Sequence, residues 1–179
     1  GLTGKAEVEV SINKEQFILA SYTCTPLVKI PVSALKPGAR VLGTTIAELG
    51  NSNRPLEMVP YKKDGHDYIL MANSKRGVMK VSVDNLGNYP AITPPTAACE
   101  ESTEAKNGIN SQCGTQIAGV PYQSLNEFNG VWQMTKLDDT HALVLADSNK
   151  HLLEYIPGNA SSFTPEPGGV LDLKTILLP

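Results

Sequence analysis

Phe17-Ile18-Leu19-Ala20-Ser21-Tyr22-Thr23 is followed four residues later by Leu27-Val28-Lys29-Ile30-Pro31-Val32, and the chain writes this pair of runs three times. It returns 51 residues on (68 − 17) as Tyr68-Ile69-Leu70-Met71-Ala72-Asn73-Ser74, with Val78-Met79-Lys80-Val81-Ser82-Val83. A further 74 residues on (142 − 68) comes Ala142-Leu143-Val144-Leu145-Ala146-Asp147-Ser148, with Leu152-Leu153-Glu154-Tyr155-Ile156. Each copy reads as two apolar strands joined by a polar turn. Self-similarity at a period of about 40–50 residues is the mark of a propeller or solenoid.

Each copy extends in both directions. Ala6–Val10, Leu56–Tyr61 and Val131–Leu137 precede the three copies, and short turns such as Lys62-Lys63-Asp64-Gly65 join them to the Ile-Leu-rich strand as hairpins. A fourth strand follows: Arg40–Ile46 in the first copy, Val170–Ile176 in the last, and a segment near Tyr89–Thr93 or near Gln116–Tyr122 in the second. Four antiparallel strands make a propeller blade. The expected fold is therefore all-β, a partial β-propeller of three four-stranded blades over residues 6–47, 55–122 and 130–177, with an insertion over 97–115. Runs such as Tyr68–Ala72 suit strands covered on both faces. Close bounding by Gly, Pro and Asn-Ser argues against helices.

Closed propellers have about four to eight blades, and three leave open flanks. The expected partner is a companion chain or a second copy that completes a six- to eight-bladed ring, unless the chain is part of a longer product. A three-sheet sandwich or open β-array is the alternative architecture.

A net charge of −3 supplies no basic footprint for nucleic acid. No apolar run reaches the roughly 18 residues of a membrane-spanning helix. The chain opens at Gly1 without a leader, as a mature, processed or engineered start would. Cys99 and Cys113 bracket a polar segment with no apolar cluster to hold it. A disulfide there, closing about 15 residues, would stabilise by roughly 3 kcal/mol. Such a bridge belongs to an oxidising compartment, so the expected location is secreted or periplasmic; the other reading is two free thiols on a cytosolic surface loop. Cys24 is left over, either a small buried residue or half of an intermolecular bridge.

In a propeller the loop between blades and the loop between second and third strands project from one face. That groups Asn51, Asn53 and Arg54 with Asn73, Ser74, Lys75 and Arg76, and Asn126, Asn129 and Trp132 with Asp147, Asn149, Lys150 and His151. Loops on a rigid scaffold commonly carry binding groups. The ligand-binding candidates are accordingly Asn53, Arg54, Asn73, Arg76, Asn129, Trp132, Asp147 and Lys150. Asn73-Ser74 and Asp147-Ser148 also suit tight turns, because their side chains bond the local backbone. Arg54 can act as an anion-binding fork or pair with an acid; Trp132 can stack on a ligand or pack between blades. His66 and His141 fall in hairpin turns on the opposite face, so a His-rich zinc site is not expected. Nucleophile-elbow, P-loop, EF-hand and dinucleotide motifs are absent.

Leu143-Val144-Leu145-Ala146-Asp147-Ser148-Asn149-Lys150-His151-Leu152 resembles the Ala-Asp-Ser-x-Asn-His pattern of NHL repeats. Asn53-Arg54-Pro55-Leu56-Glu57-Met58, with Asp64-Gly65 and Tyr68–Ser74, is similar to a blade of the gluconolactonase-like six-bladed propellers. The second resemblance implies a channel calcium held by Asn, Asp and Glu oxygens, with Asp147 at a matching position. Pro55-Leu56-Glu57 replaces the family's Pro-Asn-Gly, and Gly130-Val131-Trp132 stands at the same place in the third copy, so the expected Asn ligand is missing twice. The leading expectation is a binding or scaffold module. The alternative is part of a calcium-dependent lactonase-like hydrolase, or of a redox propeller, with its active site shared across chains.

Overall fold

The computed structural model describes residues 5–23, 26–50, 53–84, 86–93, 117–128, 130–147 and 171–179. Among these residues the fold is all-β, with no α-helix. Its strands are β1 (Lys5–Ile12), β2 (Glu15–Tyr22), β3 (Pro26–Pro31), β4 (Thr44–Leu49), β5 (Pro55–Lys63) and β6 (His66–Asn73). Then follow β7 (Gly77–Ser82), β8 (Ile117–Gly119), β9 (Gln123–Leu125), β10 (Val131–Lys136), β11 (His141–Asp147) and β12 (Leu171–Leu177). They form three antiparallel sheets in the orders β1-β2-β3-β4-β8, β5-β6-β7-β9 and β10-β11-β12.

Two hairpins share one turn geometry. Ile12 pairs with Glu15 and Lys63 with His66, leaving two-residue loops. Both loop residues have positive φ: Asn13 at 52° and Lys14 at 68°, Asp64 at 52° and Gly65 at 82°. Such mirror-image turns match the right-handed twist of the flanking strands, which is why Asn and Asp-Gly stand there. The third hairpin, β10–β11, is longer and is held by Asp138. Its Oδ1 accepts from the Thr140 and His141 amides, each at 2.7 Å.

The second sheet lies between the other two and is covered on both faces. On β6, Ile69 and Met71 join Met58, Met79 and Val81 against Val10, Phe17, Leu19, Leu27 and Ile46 of the first sheet. Leu70 and Ala72 join Val59, Tyr61 and Val78 against Val131, Met134, Ala142, Val144 and Ala146 of the third. A strand alternates its side chains between faces, so an uninterrupted apolar run is what a doubly covered strand needs. Each fully buried Leu or Met side chain contributes roughly 1.5–3 kcal/mol.

The outer strands differ from expectation in each copy. In the first, β4 spans Thr44–Leu49 rather than Arg40–Ile46. Gly43 crosses the face of the sheet instead of extending its edge, so near that a Cβ would stand 2.3 Å from Val28 Cγ1. In the second, neither proposed segment pairs with β7, whose partner is β9, Gln123–Leu125. Ile117–Gly119, inside the second proposed segment, joins β4 as a fifth strand of the first sheet. Gly119, at φ 79°, permits this approach: a Cβ would lie 2.1 Å from the Ile46 carbonyl oxygen. Ile92, from the first proposed segment, donates its amide to Thr45 O at 2.8 Å. In the third, β12 pairs directly with β11 in place of the expected Leu152–Ile156, which lies outside the described residues. Among the described residues the sheets consequently hold five, four and three strands rather than four each.

The third copy also needs its alignment moved by one residue. Pro55 pairs with Asn73 and Val131 with Ala146, and a bulge follows in both strands, at Leu56 and at Trp132. Asn73 therefore corresponds to Ala146, an offset of 73 (146 − 73), rather than to Asp147. A one-residue slip exchanges the two faces of a strand. With the corrected offset, Ala142, Val144 and Ala146 are the counterparts of Ile69, Met71 and Asn73, and both sets face the preceding sheet.

Candidate functional site

The start of β5 and the β6–β7 turn meet through a buried polar clasp. The Asn53 amide nitrogen donates to Asn73 Oδ1 at 3.0 Å, and Asn53 Oδ1 accepts from the Lys75 backbone amide at 3.1 Å. Asn73 Nδ2 donates to the Met71 carbonyl at 3.1 Å. Beside them the Arg54 amide donates to Ser74 Oγ and the Ser74 amide to the Arg54 carbonyl, both at 3.0 Å. Asn53 and Asn73 are 1% and 5% exposed, and their amides bond one another and the protein's own backbone. That is the chemistry expected where a turn must be held without water.

The clasp gathers three cationic side chains, Arg54, Lys75 and Arg76, all half-buried. Burial lowers the Lys75 ammonium below its ordinary value. The Arg76 guanidinium lies against Gly50, where a Cβ would stand 2.5 Å from its Cζ. Gly50 also sits at φ 110°, in a region other residues avoid. Sequence reasoning grouped the Asn and Arg residues of this end correctly in space and missed Gly50. A glycine before Asn51-Ser52-Asn53 reads as an ordinary loop signal, and only the neighbouring guanidinium gives it a specific reason.

The second predicted group is described only in part. Trp132 is half-buried at the β10 bulge and Asn126 begins a short 3₁₀ turn. Asp147 ends β11, its backbone opposite Leu171. Asn129, Lys150, Asn149 and His151 lie outside the described residues, as do Asn51, Cys24, Cys99 and Cys113. Among the described residues no group of three or more His, Cys, Asp or Glu side chains is placed to hold a metal ion.

The histidines take part in turn chemistry. His66 Nδ1 lies 2.6 Å from Asp84 Oδ2, and Asp84 Oδ1 accepts from the Asp67 amide at 3.0 Å. The Asp67 amide, then the His66 ring, hold the Asp84 carboxyl below the ordinary range. His141 Nδ1 lies 3.1 Å from Asp138 Oδ1. Bonds from Thr140 and then His141 bring the Asp138 carboxyl down to about 2. These contacts tie loops to strands at the hairpin end, away from the clasp.

Comparison with known proteins found no matching family model, no matching curated protein and no matching solved structure.

Proposed function

We propose that this chain is three blades of a larger β-propeller, a secreted or periplasmic binding module completed by another chain. It recognises a polar or anionic ligand, or a partner protein, at the end that carries Arg54, Lys75 and Arg76. The observation that carries this reading is the way the second sheet is sandwiched, with β5 packed against both β1 and β10. First strands that neighbour one another, in sheets stacked face to face, are what a ring of blades requires. Asn53 and Asn73 then act as the rigid frame, and the guanidinium and ammonium groups as the contacting atoms.

The outward faces of the flanking sheets favour a companion chain over a second copy. The third sheet's outward face offers Leu143 and Leu145, both half-buried, and Leu177, 63% exposed. On the first sheet, β1 turns the exposed Glu7 and Glu9 outward. By register Glu7 stands where β5 has Met58 and β10 has Met134. A partner that covers this face must bring a cation or a strong donor to Glu9, since burying its carboxylate unmatched is costly. The third sheet's β10 offers the neutral Gln133 and Thr135 in the corresponding positions, which donate hydrogen bonds and carry no positive charge.

Native mass measurement on the protein from its source tests this reading. The expected species is a heterocomplex heavier than the 19.2 kDa chain. A lone 19.2 kDa species that melts cooperatively overturns it.

A further inference from the structure

Beyond the end of β12 the chain turns onto the second sheet. The Leu178 amide donates to the Thr140 carbonyl at 2.8 Å, and the Leu178 side chain, 3% exposed, enters the apolar layer between the second and third sheets. Its carbonyl accepts from the Lys63 ammonium at 3.2 Å. The Pro179 carbonyl accepts from the Tyr61 hydroxyl at 2.6 Å and from the Lys80 ammonium at 3.0 Å.

These three donors come from two strands and share one face. Val59, Leu70 and Lys80 lie in one row across β5, β6 and β7, and Tyr61 pairs with Tyr68 in the next. The Tyr61 and Tyr68 rings stack at 5.4 Å, and the Lys80 ammonium lies 4.1 Å over the Tyr68 ring. The cradle is thus held by contacts of its own, with the Lys80 donor steered by an aromatic face. Burial first, and then the Tyr68 charge, raise the Tyr61 hydroxyl far above its ordinary value, which keeps it a donor.

We propose that Leu178–Pro179 is a latch that fastens the third sheet onto the second, and that the third sheet opens as a unit when the latch is released while the first two stay packed. Among the described residues the two apolar layers share none: one joins the first and second sheets, the other the second and third. Among the described residues β10 and β11 bring no leucine, isoleucine or phenylalanine to that layer, whereas the first sheet brings Ile12, Phe17, Leu19, Leu27, Ile46 and Leu49 to the other. These two strands therefore bury smaller side chains against the second sheet than the first sheet does. Cooperative units of unequal stability are common within one domain, and the weaker opens first. The latch adds to the third sheet alone, because its acceptors follow directly on β12. This inference is independent of any ring.

Amide hydrogen exchange on the full chain, compared with Tyr61→Phe, Lys80→Met and the double variant, tests it. Removing one net hydrogen bond is expected to speed exchange in β10, β11 and β12 by roughly three- to tenfold, with the double variant faster still. Amides of β1, β2 and β3 keep their rates. Equal acceleration in all three sheets, or none in β10–β12, overturns the proposal. Should Lys80→Met fail to fold, Tyr61→Phe, which removes one oxygen, still decides between these outcomes.

Discussion

Asn73 reads from the sequence as a turn-former or a ligand contact and Asn53 as a ligand contact, and the fold sets both in one buried hydrogen-bonded clasp. Each side-chain amide donates one hydrogen bond and accepts one within the clasp, at 1% and 5% exposure. Asn53→Ala would strand Asn73 Oδ1 and the Lys75 amide, an expected loss of about 2–4 kcal/mol in urea unfolding. Gly50→Ala forces a Cβ into the Arg76 guanidinium from a left-handed backbone, and about 1–3 kcal/mol should be lost with it. Asp84 and Asp138 govern the acid limb. Their folded values are depressed, so their contribution is present above the unfolded value near 4 and fades as pH falls below it, for Asp138 towards about 2. Unfolding midpoints measured from pH 5 to pH 2 should fall less steeply in Asp138→Ala than in the parent.

At the scale of the element, apolar runs and turn chemistry located β2, β6 and β11 and the two short hairpins from the sequence. Period-2 packing explains why: a short uninterrupted Ile-Leu-Met run, bounded closely by turn residues, suits a strand covered on both sides. Register was less accessible. The Ala-Asn-Ser and Ala-Asp-Ser matches at 72–74 and 146–148 suggest one alignment, whereas bulges at Leu56 and Trp132 impose another, one residue away. A bulge inserts a residue without a sequence mark of its own when the residue is not glycine. The corrected register makes a sharp expectation. Val144→Asp buries a charge between sheets and should abolish cooperative thermal unfolding or cost more than about 3 kcal/mol, while Leu143→Asp, next in sequence and facing outward, should cost under about 1.5 kcal/mol in the isolated chain. The reverse order, with Leu143→Asp the costlier, would return the register to the sequence match.

Across the whole molecule, the strands least visible beforehand are those whose partners are far away in sequence. β8 is three residues long, yet it crosses back to β4 of the first sheet, about 70 positions earlier. Gly119→Ala would set a Cβ 2.1 Å from the Ile46 carbonyl. The expected result is loss of β8 pairing, seen as faster exchange at the Val120 amide, with the second apolar layer intact.

Composition and alternation in the chain alone determined an all-β molecule of repeated hairpins, because side chains two apart share a face whatever surrounds them. They also placed Asn53 and Arg54 beside Asn73–Arg76, since a hairpin brings its ends together by local geometry. Which strand closes each sheet, which face of β11 is buried, and where Leu178 and Pro179 come to rest were decided only in three dimensions. Those outcomes depend on close approaches at Gly43 and Gly119, on bulges, and on donors from separate strands, none of which has a local signature.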